Sequence, residues 1–326
     1  KRQPSSKTIR PLKFAGFKEY RRKLEELIIN PLRNYREYVG LFPLVINING
    51  PSGVGKTFGS LWALTCSGCV VIQRGPEDYR SPLFAGSEER IRQDRFTAIE
   101  LASRGKKVGI LINEAEVLLR SRSSPSHVYS SVRDTLDAIV AAYLEEIDLL
   151  KTQYSHLPIV KVLTTNFAEE MDAAWMNDHR IDGHIQVDYP EPEDIPELIE
   201  AHLDEDLEER DFIIERLTDL LSDESRPFIR VYTESGLRKD VPLFVSPALI
   251  SGICKSAKIA AKRESLGKQP SWRHFHQAAV ERISAFARRL ENPQTMRDMM
   301  PIRLRKEMGK IVRVETIFDP EMMMAA

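Results

Sequence analysis

The octapeptide Gly50-Pro51-Ser52-Gly53-Val54-Gly55-Lys56-Thr57 leaves this chain few folds to choose from. It follows the apolar run Leu44–Ile48 and precedes a helical pattern. Its three glycines let backbone N–H groups curl around phosphate oxygens, and a helix that starts there points its positive end at the same anion. At this spacing Lys56 reaches the β- and γ-phosphates, and the Thr57 hydroxyl is offered to Mg²⁺. Gly50 to Thr57 are therefore the expected phosphate-binding residues. ATP and Mg²⁺ are the expected cofactors.

The loop needs a strand before it and a helix after it, and the rest of the chain repeats that alternation. Leu44–Ile48, Cys69–Ile72, Val108–Ile112 and Ile159–Leu163 are short, β-branched and apolar, which favours buried strands. Between the third and fourth, Leu136, Ile139, Val140, Tyr143, Leu144 and Ile147 keep the spacing of one buried helix face. Strands separated by helices imply right-handed crossovers and a mostly parallel sheet. After Tyr189-Pro190-Glu191-Pro192 strand runs stop and helical patterns dominate to about Leu290. The expected divisions are a helical lead-in over 1–43, an ATPase core over 44–190, a helical domain over 191–290 and a C-terminal extension over 291–326. Ser222 to Pro242 is expected as a long loop or small hairpin, and the segment after Asn292-Pro293 as an appendage.

A second motif, Ile110-Leu111-Ile112-Asn113-Glu114-Ala115-Glu116, is a buried strand ending in acids. Downstream of a phosphate loop, such a strand end holds the metal's water shell and the attacking water. Glu114 is the expected catalytic acid. Asn113 stands where an Asp usually helps hold Mg²⁺, so it hydrogen-bonds a metal-bound water without adding negative charge.

With these motifs in place, the chain resembles the AAA family of ring ATPases from about Phe14 to Ile283. Phe14-Ala15-Gly16-Phe17 with Glu25 to Leu32 and Gly40-Leu41 is similar to the family's lead-in to the phosphate loop. Phe84, Ala85 and Gly86, within Ser81 to Glu88, resemble its first pore loop. Asn166 after Thr164-Thr165 resembles the sensor-1 Asn. Asp172-Ala173-Ala174 with His179-Arg180-Ile181-Asp182 resembles the segment carrying the arginine finger. Ser246-Pro247-Ala248-Leu249-Ile250 resembles the lid helix. The resemblance implies an α/β fold: a P-loop NTPase αβα sandwich with a parallel five-stranded sheet, followed by a smaller all-α lid domain. It also implies catalytic roles for Asn166 and Arg180 beside Glu114. Departures are Asn113 for Asp, Gly183 and His184 where a second arginine often stands, Pro247 for a glycine, and no evident sensor-2 Arg. Weak or partner-stimulated hydrolysis is compatible with them. Ile91-Arg92-Gln93, Arg104 to Lys107 and Leu111-Ile112-Asn113 carry a narrower likeness to plant-type Rubisco activases.

The expected function is ATP-driven protein remodelling by a ring, most often of six identical subunits, with a protein substrate or adaptor as partner. The alternatives are a Rubisco activase-like remodeller and a DNA-associated ATPase. The net charge is −1, which gives no global attraction to nucleic acid. Basic stretches at Lys1–Arg36 and Arg288–Arg313, against the acid-rich 191–224, suit complementary subunit faces or a docking surface. No helix-turn-helix or zinc module is apparent, and nucleic acid is not the expected partner. No apolar run approaches the ~20 residues of a membrane span. Three cysteines cannot build a disulfide framework, which points to a reducing compartment such as the cytoplasm or plastid stroma. Cys66-Ser67-Gly68-Cys69 has redox-like spacing but falls where a helix should end and a strand begin, so packed thiols are expected.

Overall fold

The computed structural model describes residues 14–79, 86–119, 130–167, 179–223 and 225–318. The chain forms two compact units, one holding 19–49 and 56–186, the other 15–18, 50–55 and the chain from Val187 on.

In the first unit α1 (Lys18–Leu24) runs through a π-helical turn (Glu25–Ile29) into α2 (Asn30–Arg33). There follow β1 (Val45–Asn49), α3 (Lys56–Cys66), β2 (Cys69–Arg74), α4 (Pro76–Tyr79), α5 (Gly86–Ser103) and β3 (Lys107–Ile112). The unit closes with α6 (Ala115–Leu118), α7 (Ser130–Gln153), β4 (Ile159–Thr165) and β5 (Gly183–Gln186). The five strands form one parallel sheet in the order β2-β3-β4-β1-β5.

Helices cover both faces of that sheet, so its central strands are apolar on both sides. On one face Val45, Ile110, Ile112 and Leu163 pack with Ile91 and Ala98 of α5 and Ile139, Val140, Tyr143 and Ile147 of α7. On the other, α3 lies so close to β3 that a Cβ at Gly109 would stand 2.6 Å from Leu64 Cδ2. The five-stranded αβα core is as expected. The short strand β5, Gly183-His184-Ile185-Gln186, fills the place that four apolar runs left open.

The second unit contains α8 (Ile195–Glu200), α9 (Arg210–Leu221), β6 (Pro227–Thr233), β7 (Arg238–Pro242), α10 (Pro247–Glu264), α11 (Trp272–Leu290), α12 (Pro293–Met299), α13 (Ile302–Met308) and β8 (Ile311–Thr316). It is mainly helical, as expected, but not all-α. Ser222–Pro242 is the small hairpin of its two alternatives, and β8 adds to that hairpin to give an antiparallel sheet β7-β6-β8. The segment expected as an appendage is therefore built in. Met296, Met300, Met308 and Val314 are buried with Ile229, Ile253, Phe275 and Ile283. Asn292 does not simply end a helix; its side chain caps α12 by accepting the N–H groups of Gln294 and Thr295, with Pro293 in the first helical position. Among the described residues no helix is long and apolar enough to cross a membrane.

Candidate functional site

Parallel strands deliver their C-terminal ends to one edge. The registers align Ile112 with Leu163, and Asn49 with Thr165. The end of β1, the Asn113 turn that follows β3 and the Thr164–Asn166 end of β4 therefore emerge side by side. This is the edge at which open α/β sheets bind ligands.

The loop backbone requires its glycines. A Cβ at Gly50 would lie 2.0 Å from the Val187 carbonyl oxygen. Gly53 and Gly55 have φ of +85° and +90°, the left-handed region that glycine enters without steric cost. Within the second unit, Gly53 O accepts the N–H of Ala248 at 3.4 Å. Ser246 caps α10 by accepting the N–H of Leu249 at 3.1 Å.

Lys56 opens α3 and is largely buried. Its Nζ donates to Asn166 Oδ1 at 2.7 Å. The Thr57 hydroxyl donates to Asn113 Oδ1 at 2.9 Å, and the Thr164 hydroxyl donates to the same oxygen at 3.3 Å. Lys56, Thr57, Asn113 and Asn166, four residues singled out in the sequence, thus form one hydrogen-bonded cluster. Tyr20, from the lead-in, braces the start of α3: its hydroxyl donates to Lys56 O at 3.2 Å. A Cβ at Gly59 would stand 2.3 Å from that hydroxyl, so only glycine lets the two elements meet.

Glu114 has φ +51° and ψ +48°, a left-handed conformation that costs a non-glycine residue about 1–2 kcal/mol. The sharp turn from β3 into α6 buries Ala115 and Glu116 and leaves the Glu114 side chain exposed. Glu114 and Asn113 line an open recess of about 340 Å³ with Gln73, Arg74, Gly75, Pro76, Glu77 and Asp78. Arg74 is fixed there by two hydrogen bonds to Asp94, at 2.8 and 2.6 Å. That carboxylate holds the guanidinium above its ordinary pKa.

Arg180 is not at this edge. It precedes β5, whose first residue pairs with Ile46 near the start of β1, so a strand length, roughly 16 Å, separates it from the strand ends. Its Nε and Nη2 donate to Asp148 of α7 at 3.2 and 3.0 Å. Asp182 fixes the same turn. It accepts the N–H groups of Leu44 and Val45 at 3.0 and 2.9 Å, and Lys151 Nζ at 2.7 Å. Of the expected pore loop, Phe84 and Ala85 lie outside the described residues, as do Asp172 to Ala174 of the expected arginine-finger segment. Gly86 is the first residue of α5 rather than part of a loop.

Two contributors escaped the sequence reading. Thr164 is the second hydroxyl on Asn113. Glu116, buried, accepts the Asn166 N–H at 3.1 Å. Thr-Thr-Asn after a strand and a second acid two residues past Glu114 were the available signals. Cys66 ends α3 and Cys69 starts β2, with Gly68 at φ +74° between them; both are free thiols, and burial pushes that of Cys69 up to about 12. Among the described residues no group of three His, Cys, Asp or Glu could hold a metal ion. The cluster at the strand ends instead offers oxygen atoms, from Thr57, Asn113 and Glu114, the donor type that Mg²⁺ takes.

Comparison with known proteins agrees with this geometry. Residues 46–189 match the model of the ATPase family associated with various cellular activities, AAA. A protein of Corynebacterium diphtheriae named as an AAA ATPase forming ring-shaped complexes is 27% identical over 251 residues, which are 73% of this chain and 47% of that protein. A protein of the same name from Corynebacterium glutamicum is 27% identical over 242 residues, 70% of this chain and 44% of the relative. The ATP-dependent zinc metalloprotease FtsH of Aster yellows witches'-broom phytoplasma is 25% identical over 191 residues, 58% of this chain and 26% of that protein. The chain spans less than half the length of these relatives. They do not bear on the narrower likeness to plant-type Rubisco activases.

Proposed function

We propose that this chain, whose residues 46–189 match the model of the AAA family of ATPases, works as a ring, most often a hexamer, that spends ATP to remodel polypeptides. The observation that carries the reading is the cluster of Lys56, Thr57, Asn113 and Asn166 beside an outward-turned Glu114. Lys56 neutralises phosphate charge once Asn166 releases it. Asn166 and Glu114 then orient a water for attack, Glu114 accepting its proton. Thr57 and, through water, Asn113 would hold Mg²⁺, which would supply positive charge to neutralise the phosphates.

Arg180 acts on the nucleotide of a neighbouring subunit. Its support is its station at the opposite end of the sheet from the strand ends that carry Asn113 and Asn166, and a head-to-tail contact of that kind closes into a ring. Ring formation is also what the name of the Corynebacterium relatives states of them. Phe84 and Ala85, just before α5, grip the polypeptide, a role supported by their resemblance to the family's pore loop.

The test is binding of a fluorescently labelled, permanently unfolded polypeptide. Glu114→Gln with ATP should hold the probe, and Glu114→Gln with Phe84→Ala should not. Absence of binding in both, together with tight, salt-dependent binding of duplex DNA, would replace this reading with a DNA-associated one.

A further inference from the structure

We propose that Glu116 is a positioning residue for hydrolysis, fixing Asn166 and, through it, the resting place of Lys56. The inference rests on the reading of Lys56, Glu114 and Asn166 as the ATPase machinery.

The two acids after β3 differ in every physical respect. Glu114 is exposed and left-handed, with no capping hydrogen bond from its side chain. Glu116, two residues on, is 7% exposed and faces inward. β4 ends at Thr165, so the N–H of Asn166 lies beyond the strand ladder and needs an acceptor of its own. Glu116 Oε1 supplies it at 3.1 Å. The next N–H, of Phe167, turns back onto Thr165 Oγ1 at 3.0 Å. With its backbone held, Asn166 presents Oδ1 to Lys56 Nζ at 2.7 Å. A chain of two hydrogen bonds therefore runs from Glu116 to the phosphate-loop lysine.

The other carboxylate oxygen, Oε2, is buried without a hydrogen-bond partner among the described residues. A residue kept only to fill space would not be a half-satisfied carboxylate, because such a group is costly to bury. What Glu116 offers that an apolar side chain cannot is the acceptor for Asn166. Its inward-facing Oε1 is engaged by the Asn166 N–H, and through Asn166 it acts on the site.

Steady-state ATPase kinetics on Glu116→Ala, Glu116→Gln, Asn166→Ala and the Glu116→Ala/Asn166→Ala pair test this. A misplaced orienting group costs on the order of 10- to 100-fold in rate. Glu116→Ala should lose that much kcat with little change in KM for ATP. Glu116→Gln, which keeps an acceptor oxygen, should retain most of the parental kcat. The double variant should be no slower than Asn166→Ala alone, because both remove the same positioned group. Multiplying losses in the double variant would overturn the proposal, as would parental turnover in Glu116→Ala. If Glu116→Gln is inactive while Glu114→Gln turns over normally, Glu116 is the hydrolytic acid and the positioning role is wrong. Parental turnover in Lys56→Ala would instead remove the site reading on which the proposal stands. Should Glu116→Ala fail to fold, the conservative Glu116→Gln still decides: a loss of kcat there contradicts the proposal.

Discussion

Lys161 lies in the middle of β4 and Glu146 on α7, with side chains 1% and 3% exposed and charged groups 2.8 Å apart. Lys161 Nζ also stands 4.9 Å from the centre of the Tyr143 ring. At an effective dielectric constant of about 20, two unit charges at that separation attract by about 6 kcal/mol. Desolvating both ions opposes most of this, so the pair adds little net stability. Losing one partner is different, since an uncompensated buried charge costs about 3–5 kcal/mol, a large part of a typical 5–15 kcal/mol. Lys161→Met should therefore destabilise the first unit by about that amount, while Lys161→Met with Glu146→Leu should return to near the parental value. The mechanism has a pH signature. Burial already raises the Glu146 carboxyl above its ordinary 4.5, with Lys161 opposing, and removing Lys161 raises it further. Between the ordinary and the raised value the folded chain holds a proton that the unfolded chain has released. Stability contributed by that proton is present at low pH and lost as pH rises through the window. The deficit of Lys161→Met should accordingly shrink on acidification. Urea unfolding of both single variants and the double at two pH values measures the coupling. Additive single losses below about 1 kcal/mol, or a deficit indifferent to pH, would refute the reasoning.

Asn113→Asp should lower the Mg²⁺ concentration needed for half-maximal ATPase activity and leave hydrolysis equal or faster. A carboxylate still accepts the Thr57 and Thr164 hydroxyls that Asn113 Oδ1 accepts now, and adds charge beside the metal shell; a slower enzyme with weaker Mg²⁺ dependence would mean that the amide is a fitted part of this site. Burial pushes the Cys69 and Cys254 thiols up to about 12, so at pH 8 their thiolate fraction is about 10⁻⁴ against about a quarter for a free thiol. Iodoacetamide labelling followed by mass spectrometry should modify Cys254, the buried one of the two, far more slowly in the folded chain than in urea, and comparable rates would contradict its burial.

Elements with local signals were legible, and elements defined by distant partners were not. The runs at Leu44, Cys69, Val108 and Ile159 are β-branched and buried on both faces, so composition alone marks them as strands. β5 has four residues in an alternating pattern with only Ile185 strongly apolar, too short for periodicity to mark. β8 pairs with β6 across some eighty residues, and nothing local announces such a pairing. Lys161 sits within an otherwise apolar strand, and its partner on α7 has no sequence signature. At the site, Asn166 was legible through the resemblance to the AAA family, while the chemistry needs particular residue types at fixed spacing, so Lys56, Thr57, Asn113 and Glu114 could be picked out. How they are held could not: Glu has no propensity for the left-handed turn at Glu114, and the Glu116–Asn166 and Arg180–Asp148 contacts span 50 and 32 residues.

A site shared between subunits makes a demand that a self-contained site does not. Arg180→Ala and Glu114→Gln should each be inactive alone. On the proposed reading the first lacks the group that spreads transition-state charge, worth on the order of 10³-fold, and the second the acid that orients water. In a mixed ring some interfaces pair an intact Arg180 with an intact Glu114. ATPase activity measured on mixing the two should recover in part and rise with protein concentration. No recovery at any ratio, with ring formation verified by light scattering, would contradict a site completed by a neighbour.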